Sequence, residues 1–185
     1  MGTFYAERVL KIIKPRVGLL NIGTERIKGT DLQIEAYNLL EAAAKDGSIN
    51  FIGNIESKSV MFGECDVVVT DGYTGNILLK SVEGTASFLM REIKNILMKN
   101  ALTKFAALLI KKHLKVLKER MDADKVGGTA LLGIAKPVIK AHGSSNAAAL
   151  KNAVFQAMTA VSAGIAEDIQ NNIERMKIEE KVEKN

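Results

Sequence analysis

Three phrases of glycine and small polar residues are the parts of this sequence whose residue types could do chemistry. IGTERIKG (22–29) follows the apolar run VGLLN, DGYTGN (71–76) follows VVVT, and HGSSNA (142–147) follows PVIKA. Backbone N–H groups, hydroxyls and amides at the carboxyl ends of buried strands are suited to binding an oxyanion. The phrases therefore predict an anion site, with the side chains of Lys28 and His142 available beside it.

The apolar pattern around these phrases alternates between strand and helix. Strands are predicted at 17–21, 49–54 and 66–70, in GGTALLGI (127–134) and in PVIKA (137–141). Helices are predicted over 3–13, from an N-cap at Asp31 to Gly47, from Gly75 onward with a break near Asn100, and after a cap at Ser144 or Ser145. Short buried strands between helices predict an α/β fold with a mostly parallel sheet covered by helices.

Two of the helices carry a specific prediction about which residues they bury. The first is expected to turn Phe4, Val9 and Ile12 or Ile13 to one side, with Pro15 ending it. The last is expected to bury one stripe of large apolar residues at helical spacing: Leu150, Val154, Met158, Val161, Ile165, Ile169 and Ile173.

Length and composition are those of one ordinary globular domain. The chain has 185 residues, 47% of them hydrophobic, and no apolar run of the length that spans a membrane. The N-terminus mixes charge into its apolar face and lacks a signal-peptide core. The single cysteine, Cys65, excludes an internal disulfide and favours a reducing, cytoplasmic location. No histidine is near it in sequence, so it is not expected to be a nucleophile; no cofactor and no metal site are predicted.

The positive charge of the chain is concentrated in one segment. The segment from Ala86 to Arg120 contains nine Lys/Arg and two Glu, so it carries a net charge of +7 and the rest of the chain carries −2. The apolar spacing predicts a basic amphipathic helical hairpin over 84–122, and residues 178–185 form a charged tail. This charge predicts an acidic partner or surface. Nucleic acid is not favoured, because aromatic residues are scarce and no recognition motif is present.

Six ordered phrases in this sequence resemble one family over nearly the whole chain. NIGTERIKG, FIGNIE, DVVVTDGYTGN, LLKSVEG, GGTALLG and PVIKAHGSSN are similar to the PlsX-type phosphate acyltransferases of bacterial phospholipid synthesis. The resemblance implies transfer of a fatty acyl group from acyl carrier protein to inorganic phosphate, in a homodimer. It also implies a fold similar to that of the phosphotransacetylases and isocitrate dehydrogenase-like proteins, with the basic hairpin protruding.

Attack of phosphate on a thioester needs a phosphate cradle, a donor to the oxyanion and a base, and residues in the three phrases are candidates for these roles. Lys28 is expected to neutralise phosphate, Asn76 to donate its amide to phosphate or to the oxyanion, and His142 to act as base or donor. Asp71 and Asn76 could also be ordinary turn or helix-capping residues. The remaining predicted substrate-binding residues are Gly23, Thr24, Asp71, Thr74, Gly75, Gly143, Ser144 and Ser145.

Alternatives remain open at this point. The Asp-Ala-Met-Gly-Gly-Asp loop that begins family members is absent, so the sequence is expected to be the C-terminal part, residues 1–185, of such an enzyme. A noncatalytic fragment that dimerises or docks on membranes, and a phosphotransacetylase using coenzyme A thioesters, are the other interpretations. The hairpin could steer acyl carrier protein, pair with its copy, or lie on an anionic membrane near a glycerol-3-phosphate acyltransferase.

Overall fold

The computed structural model of the protein describes residues 1–120, 127–141, 143 and 145–176. The chain forms two compact units. The first comprises Met1–Val69 and Gly127–Asn185, and the second comprises Thr70–Val126. Of the predicted residues, His142, Ser144 and the tail 178–185 lie outside the described part of the chain.

The first unit begins with helix α1 (Gly2–Arg8), which is shorter than predicted. Phe4, Tyr5 and Val9 pack against a buried cluster of Ala160, Ile165 and Ile169. The prediction that the helix continues to residue 13 is wrong, because Lys11 and Lys14 both have positive φ and turn the chain out of the helix. Ile13 is consequently exposed, while Pro15 is fully buried just before the first strand.

A parallel sheet of three strands forms the centre of the first unit. Its strands are β1 (Arg16–Asn21), β2 (Asn50–Glu56) and β3 (Val67–Val69), in the order β2-β1-β3. Helix α2 (Asp31–Lys45) connects β1 to β2, and helix α3 (Ser57–Met61) connects β2 to β3. The middle strand buries Val17, Leu19 and Leu20, as expected for a short apolar run covered on both faces. The predicted α/β class and these three strands are confirmed.

The N-cap of helix α2 lies one residue earlier than predicted. Thr30 is the N-cap, and Thr30 with Gln33 forms a capping box, so Asp31 is the first helical residue. The helix ends at Lys45, and Gly47 follows with φ of 82°. The predicted stop at this glycine is therefore confirmed, with the glycine just beyond the cap as its left-handed backbone requires.

The last two predicted strands do not join the parallel sheet. β4 (Thr129–Leu131) and β5 (Val138–Lys140) pair antiparallel with each other in a separate two-stranded sheet. The two glycines before β4 permit close packing: a Cβ on Gly127 would lie 2.5 Å from Ala153 N, and one on Gly128 would lie 2.9 Å from Lys140 O. Local sequence predicts a strand well, but which strand it pairs with depends on such distant contacts.

The predicted closing helix is divided into three: α6 (Ala147–Ser162), α7 (Ile165–Asn171) and α8 (Ile173–Met176). Gly164, with φ of 64°, separates α6 from α7. The prediction for the buried stripe is wrong in α6 and correct in α7. In α6 the buried side chains are Ala149, Ala153 and Ala160, whereas Leu150, Val154, Met158 and Val161 are exposed; in α7, Ile165 and Ile169 are buried, and beyond it Ile173 is exposed.

The second unit is a helical hairpin of α4 (Gly72–Leu97) and α5 (Ala101–Arg120), which confirms the predicted hairpin and its break near Asn100. The first helix starts well before residue 84. At the break, Thr103 N donates to Asn100 Oδ1 and Asn100 N donates to Thr103 Oγ1. Within the described ranges, none of the helices is long and apolar enough to cross a membrane.

Candidate functional site

The loop Ile22–Gly29 leaves β1 at the carboxyl edge of the parallel sheet and carries Lys28. A tight turn shapes it, in which Lys28 N donates to Glu25 O at 3.1 Å. The Lys28 stem lies over the buried Gly23, since a Cβ at Gly23 would be 3.2 Å from Lys28 Cγ. The same Cβ would be 2.6 Å from Glu25 Oε2. A larger residue than glycine would therefore displace the side chains of Glu25 and Lys28.

Two asparagines hold this loop from below. Asn21, at the end of β1, donates from Nδ2 to Lys28 O at 2.8 Å, and its Oδ1 accepts from Ile22 N. Asn54, in β2, donates from Nδ2 to Glu25 O at 2.8 Å. The loop then closes at Gly29, where φ is 98° and a Cβ would lie 2.8 Å from Asn21 Oδ1, so both the backbone and the space require glycine.

Arg26 anchors the outer side of the same loop to helix α2. Its guanidinium donates to Asn38 Oδ1 at 2.9 Å, lies 3.2 Å from Glu41 Oε2 and is 5.4 Å from the centre of the Tyr37 ring. Lys45 Nζ donates to the same Glu41 Oε2 at 3.0 Å, and the pKa of Glu41 is lowered by that hydrogen bond first and by the charge of Arg26. The guanidinium of Arg26 is thus engaged with α2, whereas the exposed side chain of Lys28 has no ion pair among the described residues.

The second predicted phrase forms the start of helix α4, and Asp71 is its N-cap. Asp71 Oδ1 accepts from Thr74 N at 2.8 Å, and Asp71 O accepts from Gly75 N at 3.0 Å. Hydrogen bonds from Thr74 hold the pKa of Asp71 below its ordinary value. The N–H groups of Thr74 and Gly75, which the sequence offered to an anion, already have acceptors here. A carboxylate also occupies the electropositive end of the helix.

Asn76 and Gly75 have different environments in that first stretch of α4. Asn76 lies one turn inside the helix, so it is not the cap, and its side chain is exposed with no hydrogen-bond partner among the described residues. Its amide is free to bind a ligand. Gly75 packs closely on the preceding turn, because a Cβ there would lie 2.7 Å from Thr70 Cγ2.

The third phrase precedes helix α6, and Asn146 caps that helix. Asn146 Oδ1 accepts from Ala149 N at 2.9 Å, so the predicted cap at Ser144 or Ser145 is wrong. Gly143 and Ser145 lie just before the cap, in the stretch between β5 and α6. Because β5 belongs to the antiparallel pair, this phrase does not follow a strand of the parallel sheet.

The structure therefore places the predicted residues in three groups. Gly23, Thr24 and Lys28 share the loop after β1 in the first unit, and Gly143 and Ser145 precede α6 in that unit. Asp71, Thr74, Gly75 and Asn76 share the first turns of α4 in the second unit. Sequence reasoning missed Asn21, Asn54 and Arg26, which position the loop; polar residues at the ends of two apolar strands were the available signal for the two asparagines.

The described residues give no sign of a metal or thiol site. Among them, no three His, Cys, Asp or Glu side chains lie together as a metal site would need. Burial raises the pKa of the Cys65 thiol, which disfavours the reactive thiolate at neutral pH. The exposed cation of Lys28 and the exposed amide of Asn76 are groups of the kind that bind anions.

Comparison with known proteins agrees with the resemblance of the phrases. The chain is 49% identical over 181 residues to a phosphate acyltransferase of Oceanobacillus iheyensis, covering 97% of this chain and 53% of that protein. It is 46% identical to the phosphate acyltransferase of Lysinibacillus sphaericus, over 97% of this chain and 53% of the relative. The chain spans about half the length of the curated relatives it matches. The profile of the family described as "Fatty acid synthesis protein" matches residues 1–168, and the chain belongs to that family.

Proposed function

We propose that this chain carries the phosphate-binding part of an acyltransferase that moves a fatty acyl group from acyl carrier protein to inorganic phosphate. The observation that carries the proposal is the loop Ile22–Gly29, where hydrogen bonds from Asn21 and Asn54 fix the turn that presents the exposed Lys28. The name of the relatives, phosphate acyltransferase, supplies the reaction.

The proposed reaction asks little of the protein beyond positioning and charge. A phosphate oxygen attacks the thioester carbonyl, the C–S bond breaks, and the thiolate of the carrier protein leaves and takes up a proton. Lys28 would neutralise the attacking phosphate, and the exposed amide of Asn76 would donate to the developing oxyanion or to phosphate. His142 would act as base or donor. No covalent intermediate on the enzyme is needed.

The other polar residues would complete the phosphate and thioester sites. Lys28 is a better candidate for the phosphate contact than the N-terminus of α4, because Asp71 already places a negative charge at that N-terminus. Asp71 would then act by ordering the turn that presents Asn76. The proposed substrate-binding set is otherwise unchanged: Gly23, Thr24, Thr74, Gly75, Gly143, Ser144 and Ser145.

For the basic hairpin we propose pairing with a second copy of the chain and attraction of acidic partners. An apolar cleft of about 320 Å³ lies between α4 and α5, and its lining includes Lys94, Lys104 and Lys111. On the opposite side of α5, Leu102, Phe105, Leu109 and Val116 form an exposed stripe at helical spacing. Apolar residues on both sides of one helix favour a further helix as partner, while the lysines favour the acidic carrier protein or an anionic membrane.

The test is release of free carrier protein from its palmitoyl thioester as a function of inorganic phosphate. It is run with this chain alone and with this chain fused to the half of the Oceanobacillus iheyensis relative that it does not match. We expect Lys28→Ala to lower phosphate-dependent release by about 100-fold or more in whichever form is active. Lys151→Ala, a substitution at an exposed lysine on α6, is the control and should change it little.

Three results would change the proposal. Release that requires a coenzyme A thioester instead of the carrier thioester would favour a phosphotransacetylase. Activity of the fusion but not of the chain alone would place part of the site in the other half. Failure of both forms to release carrier protein would leave a noncatalytic, dimerising or membrane-docking role.

A further inference from the structure

We propose that Asn54 is a positioning residue that sets the presentation of Lys28, an inference that rests on the proposed phosphate site. Asn54 lies in strand β2, outside the three phrases that the sequence singled out. Its side-chain amide reaches the loop of the neighbouring strand from inside the unit. The residue itself does not touch the proposed substrate, so its role is distinct from those of Lys28 and Asn76.

The hydrogen bond of Asn54 is made to Glu25 O, the carbonyl oxygen that closes the turn from Glu25 to Lys28. Glu25 O accepts from Asn54 Nδ2 at 2.8 Å and from Lys28 N at 3.1 Å. One carbonyl oxygen therefore joins the buried amide to the backbone of the lysine. A carbonyl held at both lone pairs has little freedom to rotate, and so the peptide that begins the turn is fixed relative to the sheet.

An irregularity in strand β2 brings Asn54 to this position. Val17 pairs with Phe51 and Leu19 pairs with Asn54, so β2 has one more residue than β1 between the two pairings. The extra residue is accommodated at Gly53, whose φ is 94°, a conformation that favours glycine. A regular register would place Gly53 opposite Leu19. Bulges of this kind redirect a side chain, and here the redirected side chain is the amide that reaches Glu25.

Burial makes the amide an unusual choice for this position unless its donor is needed. Asn54 is only 7% exposed, and its Oδ1 has no donor among the described residues. A buried polar atom without a partner is destabilising, and leucine would fill a similar volume without that cost. The hydrogen bond from Nδ2 to Glu25 O accounts for an asparagine at this position.

The same strand provides a matched control. Asn50, near the other end of β2, also donates from Nδ2 to a loop carbonyl, Lys14 O, at 3.2 Å. It lies at the edge of the sheet away from the lysine loop. Asn50→Leu removes one amide-to-carbonyl hydrogen bond from β2 without touching the turn at Glu25. A general weakening of β2 would appear in this variant as well as in the Asn54 variants.

The experiment compares Asn54→Asp, Asn54→Leu and Asn50→Leu with the unmodified chain by NMR. Asp keeps the size of the side chain and removes its donor; Leu removes the polar atoms altogether and covers the case in which a buried carboxylate prevents folding. Two quantities are measured: the hydrogen-exchange rate of the Lys28 amide, and the Kd for inorganic phosphate from shifts of the loop amides. We expect both Asn54 variants to raise each by about fivefold, the scale of one hydrogen bond, and Asn50→Leu to change neither.

Equal changes in the Asn50 and Asn54 variants would overturn the proposal, because the effect would then belong to the strand as a whole. Unchanged Lys28 exchange in a folded Asn54→Leu chain would overturn it too. If neither the unmodified chain nor its fusion to the unmatched half of the Oceanobacillus iheyensis relative takes up phosphate, the proposed phosphate site fails. The exchange rates still decide, separately, whether Asn54 holds the turn.

Discussion

The lysine loop and the helical hairpin of this protein are built on opposite principles. The backbone of the loop Ile22–Gly29 is held by side chains: Asn21 and Asn54 bind two of its carbonyls, and Arg26 attaches it to α2. In the hairpin, large apolar side chains such as Leu102 and Leu109 are exposed, at 78% and 69%. The loop is complete within its own unit, whereas the hairpin surface is of the kind that a partner covers.

The two regions differ in the way expected if the loop positions a reacting group and the hairpin recruits a partner. A group that must meet a phosphate oxygen at hydrogen-bonding distance gains from a turn that cannot move, since small displacements of such a group lower catalysis strongly. A surface that recruits a carrier protein, a membrane or a second copy needs area and charge more than fixed geometry. The contrast between the two regions would be lost if the hairpin bound no partner, or if the loop Ile22–Gly29 proved to be mobile.

The largest expected effect concerns the hairpin stripe and self-association. We expect the double substitution Leu102→Gln with Leu109→Gln to weaken dimerisation by about 100-fold or more, because two exposed leucines lose their apolar contacts with the partner. Stability of the single chain should change by less than about 0.5 kcal/mol, since both positions are exposed. Sedimentation velocity over a range of concentrations measures the dimer constant.

Thr85→Gln with Ser87→Gln, two exposed small polar positions on α4, is the control for this double substitution. It should leave the dimer constant as it is. Equal dimerisation of the leucine double variant and the unmodified chain would show that the stripe is not a pairing surface. The contrast between the two regions would then be lost.

A smaller effect is expected at the start of α4, which tests whether the hairpin is fixed where it carries Asn76. Gly75→Ala would place a methyl group 2.7 Å from Thr70 Cγ2, so we expect a net destabilisation of about 1 kcal/mol after the gain in helix propensity. Gly84 lies in the same helix with nothing within 4 Å of an added Cβ. Gly84→Ala should therefore stabilise the helix by up to about 1 kcal/mol.

Thermal unfolding followed by circular dichroism at 222 nm, the ordinary helix signal, measures both variants. Opposite signs for the two alanines would show that the first turn of α4 is packed as closely as the lysine loop. A stabilising effect of both would mean that Thr70 moves aside readily. The helix start would then resemble the rest of the hairpin more than the loop.

The parts predicted well from sequence are those specified by local pattern. β1, β2 and β3 are short apolar runs with no competing interpretation, and Gly47 is a helix stop because of its backbone alone. The cap of α2 was misplaced by one residue because Thr30 and Asp31 are both good caps. The side chain of Gln33, which bonds back to Thr30, decides between them.

The parts predicted wrongly depend on contacts between distant residues. In α6 the buried residues are alanines and the large residues are exposed: Gly127 approaches the helix closely at Ala153, and Ala160 packs in the cluster with Ile165 and Ile169. Periodicity cannot show which of two apolar faces is approached. The role of Asn54 was invisible for a similar reason, since the irregular pairing of β2 with β1 is a property of two strands.

The smallest effect is expected at the amino end of β1. It tests whether side-chain hydrogen bonds fix this end of the strand as they fix the loop Ile22–Gly29. Arg16 donates from Nε to Asp66 Oδ2 at 2.9 Å and from NH2 to Gly63 O at 2.8 Å. The hydrogen bond from the Arg16 side chain, and after it the one from Arg16 N to Asp66 Oδ2 at 2.8 Å, lower the pKa of Asp66 from 3.8 to about 2. A lowered pKa in the folded state means that the stabilisation is full above about pH 4 and is lost as the pH falls toward 2.

Asp66→Asn should therefore flatten the dependence of unfolding free energy on pH in that window, measured by urea titrations at a series of pH values. Glu35→Gln, on an exposed position of α2, should keep it. If Asp66→Asn retains the full acid dependence, the strand is held by its apolar pairing alone, and side-chain fixation is confined to the lysine loop.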